Sequence, residues 1–457
     1  MPTASLPLEP PVQLVVTPDR SLVPLLDACV RYVRVRIEAP VVASDRPRMP
    51  VDLAFVLDRS GSMSGEPIAL VRRAVSEALG RLSPSDRFAI YTFDSEVDEL
   101  QGLVAASATA VSTARDALLA VEAGSTTHLS GGWSAGCRAL GAVVNLPSRG
   151  PFGHGIGAPP PREVTPTPAE GDAEGIVRAR RAVVLTDGRA NRGVTDLDQL
   201  CTAATAVAQQ GVGTSTLGFG DHFDEAFLTA LSDAGRGGFF YVARADEIPA
   251  AVAREVGEAL EVVARVPSLR VTLPAGATVR CLASFPCSVN GNEATVALSD
   301  LTSGQQLDVL LEVRLAGAHG GPQELAATLV VDGQPAASGH LAWVPSSADA
   351  VADEKPDALV LVAVATRIVA LARLAAVKAN QRHDYDAARV ILARAVEDVV
   401  ALNYDSPDMY ALLRGLDRDT SEYTSEMTEY ARKTSYSASS STLKDRTSSG
   451  TSRKRTN

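Results

Sequence analysis

Between Val51 and Val263 short apolar runs alternate with longer segments of helical period, and this alternation restricts the chain to strands joined by crossover helices in a mostly parallel sheet. VDLAFVL at 51–57 reads as a fully buried strand. A helix is expected over 66–82, with Ile68, Val71, Val75 and Leu79 on one face and Pro67 in its first turn. RFAIYTF (87–93) is the next strand, with 96–103 paired beside it. A helix over 111–121 then leads into the loop Gly124-Ser125-Thr126-Thr127-His128, and a further helix covers 129–144. RAVVLT (181–186), 213–218 and 238–242 read as strands and 196–210 and 224–234 as helices. A closing helix runs over 246–263, with Asp246 near its N-cap.

The rest of the chain has a different grain. Residues 145–175, rich in Pro, Gly, Glu and Thr, read as a disordered surface insertion that covers or flanks the ligand crevice described below. Beyond Pro267 the period becomes 2 in LRVTL, TVRCLASF, EATVAL, QLDVLLEVRL, ELAATLVV and HLAWV, which makes 264–346 a β-sandwich. PVQLVV and VRYVRVRIEAP within 1–49 alternate in the same way and need partners, so the α/β domain (50–263) is expected to interrupt one discontinuous sandwich. Residues 356–418 read as a helical hairpin (357–379 and 384–402) with a short helix near 409–416. From 420 to 457 Ser, Thr, Lys, Arg and Glu prevail, the composition of a disordered tail, either a plain solubilising segment or one open to phosphorylation. The expected fold class is therefore α/β, a doubly wound mostly parallel sheet inserted in a β-sandwich, followed by a C-terminal helical hairpin and a disordered tail.

A length of 457 residues with 46% apolar and 21% charged residues fits two or three globular domains. The net charge of -11 argues against nucleic acid or a membrane surface as partner, since both need clustered Lys and Arg. The apolar stretch from Asp357 to Lys378 is nearly long enough to span a bilayer. Arg367 and Arg373 interrupt it, each costing roughly 2.5–3.5 kcal/mol at a bilayer centre, so a buried helix is expected. Cys29, Cys137, Cys201, Cys281 and Cys287 lack CxxC spacing and read as free thiols; Cys281 and Cys287 face each other only if their strands pair. With no basic or apolar leader at the N-terminus, a cytoplasmic location is expected.

The chemistry gathers at strand ends. The first buried strand runs into Asp58-Arg59-Ser60-Gly61-Ser62, and the strand at 181–186 ends in Thr186-Asp187-Gly188. In an open parallel sheet ligands collect at such ends near the switch in strand order. Carboxylates and hydroxyls together suit a hard cation such as Mg²⁺, and no thiolate or imidazole cluster favours zinc. Asp58-x-Ser60-x-Ser62, a Thr-bearing loop and Leu185-Thr186-Asp187-Gly188 resemble the metal-ion-dependent adhesion site of von Willebrand factor A domains. The resemblance covers roughly residues 50–263. It implies hydroxyl ligands from Ser60, Ser62 and Thr127, carboxylates from Asp58 and Asp187 in direct or water-mediated contact, and Mg²⁺, Mn²⁺ or Ca²⁺ as the ion. A Glu or Asp carboxylate of a partner protein would then complete the metal shell.

The loop offers both Thr126 and Thr127, and its spacing from Leu129 and Gly131-Gly132-Trp133 favours Thr127. His128 reads as a loop residue, Asp94 and Asp98 as solvated turn residues, and Trp133 and Trp343 as core. Bacterial proteins of this type associate with ATPases or kinase and phosphatase signalling systems, which gives an expectation of partner class by analogy of fold alone. Two other readings use the same residues. One is a structural subunit that assembles through sandwich and helices without metal. The other is a Mg²⁺-dependent hydrolase, disfavoured because no GxxxxGK[ST] loop and no convincing Ser-His-Asp arrangement occurs, so the chain is expected not to be an enzyme.

Overall fold

The computed structural model describes residues 11–42, 48–146, 176–220, 222–316, 323–446 and 453. They divide into two units, residues 48–266 and residues 11–42 together with those after 266. Three strands, β1 (Gln13–Pro18), β2 (Leu22–Pro24) and β3 (Cys29–Glu38), precede the α/β unit in sequence and belong to the other one.

The α/β unit holds a six-stranded sheet of β4 (Val51–Asp58), β5 (Arg87–Phe93), β6 (Val97–Ala105), β7 (Ala179–Thr186), β8 (Val212–Phe219) and β9 (Arg236–Val242). Their spatial order is β6-β5-β4-β7-β8-β9, parallel except for the antiparallel edge strand β6. Every residue of β4 is buried, because helices cover both faces of the sheet. Leu53, Phe55 and Leu57 point into a core shared with α1 (Glu66–Leu79), α2 (Ala108–Leu119) and α6 (Ile248–Leu260). Ala54 and Val56 point the other way, against α3 (Leu129–Ala139), α4 (Leu197–Gln209) and α5 (Glu225–Ala234). The chain leaves β4 outward through β5 and β6 and returns on the other side at β7. The switch in strand order therefore lies between β4 and β7. Asp246 does not cap the closing helix. It pairs with Arg244 in the turn before, and α6 starts at Ile248 with Pro249 in its first turn. The helix after the Thr loop ends at Ala139, where Gly141 takes a left-handed conformation (φ 81°). Of the insertion read from the sequence over 145–175, residues 147–175 lie outside the described residues.

A short strand β10 (Val262–Ala264) closes this unit. The second unit continues with β11 (Ser268–Thr272), β12 (Thr278–Cys281), β13 (Cys287–Asn290), β14 (Glu293–Ala297), β15 (Leu301–Thr302), β16 (Gln306–Leu315), β17 (Gln323–Val331) and β18 (Gln334–Ser346). Two sheets form, β1-β3-β16-β12 and β13-β14-β11-β17-β18-β2. Period-2 alternation buries Val33, Val35 and Ile37 of β3, Val309, Leu311 and Val313 of β16, and Leu325, Ala327 and Leu329 of β17. Cys281 and Cys287 lie on β12 and β13, in different sheets, so their strands do not pair, and both are free thiols.

After α7 (Ala348–Asp353) comes α8 (Ala358–Gln381), N-capped by the Asp357 carboxylate on the Val360 N–H at 2.9 Å. By length and apolarity α8 could cross a membrane, yet Val360, Leu361, Val364, Ala365, Val369 and Ala376 are all buried within the unit. It packs against α9 (Tyr385–Val400), α10 (Pro407–Tyr423), α11 (Glu429–Leu443) and β3. The expectation of a disordered segment over 420–457 is corrected for residues 420–446, while 447–452 and 454–457 lie outside the described residues. The short helix near 409–416 extends to Tyr423, and α11 follows, N-capped by Thr428. Three polar ties hold this end in place. Asn380 Nδ2 donates to the Tyr423 and Ser425 carbonyls at 2.7 and 2.6 Å, Arg373 pairs with Asp419 at 2.6 Å, and Arg367 pairs with Asp445 at 3.0 Å.

Candidate functional site

Asp58 closes β4 and Thr186 closes β7, on the two strands that flank the switch point. Past Asp58 the chain turns sharply: the Ser60 N–H donates back to Asp58 Oδ1 at 2.8 Å, and a single 3₁₀ turn carries Gly61–Met63. The turn is pinned from its neighbours, with the Arg59 N–H on the Phe93 carbonyl at 2.9 Å and the Gly61 N–H on the Ser125 carbonyl at 3.1 Å. The DxSxS segment and the loop that carries Thr127 are thus tied to each other by a backbone bond.

The five residues singled out from the sequence come together. Ser62 Oγ donates to Asp187 Oδ1 at 2.7 Å and stands 3.2 Å from Ser60 Oγ. A methyl group built on Gly188 would lie 3.2 Å from Thr127 Oγ1 and 3.7 Å from Asp58 Oδ2, so those two oxygens flank the same small space. Asp58, Ser60, Thr127 and Asp187 are buried, whereas Ser62 is exposed. Of the two loop threonines, Thr127 is buried against the site and Thr126 faces solvent. Burial pushes the Asp58 carboxyl up to about 6, against the pull of the Thr186 hydroxyl and the Ser60 N–H. Burial also raises Asp187, with the Ser62 hydroxyl opposing it. Two desolvated carboxylates beside three hydroxyls form an oxygen-rich, electronegative cradle.

Two further residues escaped the sequence reading. Thr186, the last residue of β7, donates its hydroxyl to Asp58 Oδ2 and thereby fixes the carboxylate. Asn191 clamps the Thr loop, its Oδ1 accepting the Thr127 N–H at 2.9 Å and its N–H bonding the Thr127 carbonyl at 3.2 Å. It lies 64 positions from Thr127, and nothing local marks it.

Asp94 is corrected. It is buried rather than solvated, and a Cβ on Gly124 would stand 2.8 Å from its Cγ, so the loop passes over Asp94 only because residue 124 lacks a side chain. Burial opposes its ionisation, but the Glu96 N–H at 2.9 Å and the Arg59 guanidinium at 3.5 Å outweigh that and hold its carboxyl below the usual range. Asp98 is exposed on β6 and takes Arg59 at 2.6 Å. The His128 ring packs against Gly131, and burial together with Arg192 lowers its pKa. Trp133 and Trp343 are fully buried; Trp133 Nε1 donates to Thr214 Oγ1 at 3.0 Å. Among the described residues no group of three or more His, Cys, Asp and Glu side chains is gathered to hold a metal. Any cation here would depend on hydroxyl and water ligands as well as the two aspartates.

Comparison with known proteins follows the same division of the chain. Models of the von Willebrand factor type A domain match residues 52–145 and 160–240. An uncharacterized protein of Synechocystis sp. is 26% identical over 48% of this chain and 43% of its own length. Human inter-alpha-trypsin inhibitor heavy chain H1 is 28% identical over 40% of this chain and 18% of its own. The matches thus span less than half of these relatives. Among solved structures, a von Willebrand factor type A protein from Catenulispora acidiphila superposes with a TM-score of 0.65 over 89% of both chains at 14% identity, a likeness of fold. Both matches to the von Willebrand factor type A domain, residues 52–145 and 160–240, fall within the α/β unit, which has that mixed α/β fold.

Proposed function

We propose that this chain binds a partner protein through a divalent cation held by Asp58, Ser60, Ser62, Thr127 and Asp187. Von Willebrand factor type A domains mediate protein–protein interactions, which sets the class of activity. The observation that supports the metal-dependent form of it is the convergence of these five oxygen-bearing side chains on the ends of β4 and β7, with Ser62 bonded to Asp187 at 2.7 Å. The donor set fits a hard cation: it is all oxygen, it includes two buried carboxylates, and Thr186 and Asn191 fix its geometry from behind. When bound, such an ion supplies a Lewis-acidic position for a carboxylate of the partner. The chain's own residues do the rest. Asp58 is aimed by Thr186, Thr127 is locked by Asn191, and exposed Ser62 leaves one side of the cradle open to an incoming group.

The test is isothermal titration of the full chain with Mg²⁺ and Mn²⁺. Saturable binding is expected, lost in Asp58→Ala and weakened by roughly 10–100-fold in Thr186→Val, which removes only the hydroxyl behind the carboxylate. Circular dichroism of the variants checks that the fold is kept. A native chain that takes up neither ion would sink this reading.

A further inference from the structure

In the second unit, β3 buries Val33, Val35 and Ile37 on one face and carries Tyr32, Arg34 and Arg36 on the other, where α8 packs. Two cavities lie along that helix-covered face. The larger, about 530 Å³, is lined among others by Arg280, Arg314 and Arg394, and each has a carboxylate. Glu312 takes Arg280 and Arg314, and Asp398 takes Arg394 at 3.1 Å.

The smaller cavity, about 310 Å³, differs. Arg36 is held two-pronged by Asp308 at 2.8 Å on both arms, and Arg367 by Asp445 at 3.0 Å. Arg34, in the same lining, has no carboxylate within ion-pair distance and no hydrogen-bond acceptor among the described residues, and its buried Nε is unmatched. A half-buried guanidinium without a counter-charge is costly to keep, so such groups are ordinarily paired. Asp408, the remaining acid of the lining, is exposed in the first turn of α10. An apolar part of the wall is formed by Ala358, Leu359, Val362 and Ala363 of α8.

We propose that this cavity binds a small organic anion, with a phosphate or carboxylate group seated on Arg34 and an apolar body lying on the α8 wall. Planar guanidinium suits both oxyanions, because its parallel N–H groups match their oxygens. The volume is at the lower end of small-molecule sites, enough for a head group and a short hydrocarbon but not for a nucleotide with its base enclosed.

Calorimetric titration of the full chain with butyl phosphate, butyrate, inorganic phosphate and butanol tests it. Saturable binding of butyl phosphate or butyrate is expected, the tighter of the two naming the oxyanion, with inorganic phosphate weaker and butanol silent. Arg34→Gln should weaken that binding by about tenfold or more, and Arg34→Lys, which keeps the charge without the two-pronged donor, by less. Because Arg34 has no partner among the described residues to lose, Arg34→Gln should melt no lower than the native chain in the absence of ligand. No saturable binding of any anion overturns the proposal, and so does binding that Arg34→Gln leaves unchanged. A lower melting point of Arg34→Gln with unaltered anion affinity would assign Arg34 to structure and overturn it equally.

Discussion

Asp19 lies buried in the second unit, its Oδ1 accepting the Tyr32 N–H at 2.8 Å and its other oxygen 3.8 Å from Arg20. Burial lifts its pKa to about 6, more than the Tyr32 N–H and the charges of Arg31 and Arg20 can offset. The folded state therefore holds this proton more tightly than the unfolded chain, whose Asp titrates near ~3.9. The stability this gives is fully present below pH ~4 and is lost as pH rises through about 6. The loss is on the order of 2–3 kcal/mol. Asp19→Asn, which keeps the acceptor for Tyr32, should shrink the difference in urea stability between pH 4.5 and 7 by about 2 kcal/mol, since pH 4.5 already lies above the unfolded pKa. At Gly124 the prediction is steric. Gly124→Ala drives a methyl into the Asp94 carboxylate and should cost roughly 1–3 kcal/mol, most of it recovered in Gly124→Ala/Asp94→Ala, a coupling that a double-mutant cycle measures. These two residues also mark where sequence stops being informative. Asp58, Ser60 and Ser62 at one strand end and Asp187 at another could be named because each group directly follows a buried strand, and the strand pattern alone brings those ends together. The burial of Asp94 depends on a loop 30 positions away, folded over it by backbone bonds that no local pattern records.

At the level of elements, the strands and crossover helices of the α/β unit were legible because their periods of 2 and 3.6 are strong and uninterrupted. The C-terminal helix was not. α11 is rich in Ser and Thr and poor in apolar residues, yet Lys433, Tyr436, Ser439, Ser440, Ser441 and Leu443 are all buried. Its small side chains lie against α8, itself rich in Ala, so the interface closes through short side chains and specific polar ties rather than a wide apolar stripe. The Arg367–Asp445 pair is one of these ties, with both residues buried. Asp445→Ala leaves Arg367 a buried charge without its carboxylate and should destabilise the second unit by about 3–5 kcal/mol in urea unfolding. Arg367→Met/Asp445→Leu, apolar on both sides, should regain most of the loss. If Asp445→Ala unfolds like the native chain, the pair does not hold the helix.

At the level of the whole chain, each unit has its own hydrophobic core, and the core of the α/β unit is drawn entirely from residues 51–262. A chain limited to residues 48–266 is expected to unfold in one cooperative transition; Mg²⁺ should raise its stability by mass action, by about 2.7 kcal/mol at 100 times the dissociation constant, and its melting temperature with it. Absence of any such shift, where the full chain binds the ion, would show that the excised unit has lost the site. The same architecture has a kinetic side. Arg36 on β3 meets Asp308 on β16 across 272 positions of sequence. The central pairing of the β1-β3-β16-β12 sheet therefore waits for the two ends of a very long loop to find each other, and each doubling of loop length adds roughly 0.6 kcal/mol to that search. Collapse of the intervening sequence into its own globule removes most of the slack before the search begins. Assembly of the chain should accordingly be sequential, the middle before its flanks. Refolding monitored at Trp133 and at Trp343, one in each unit, should then show two phases in that order.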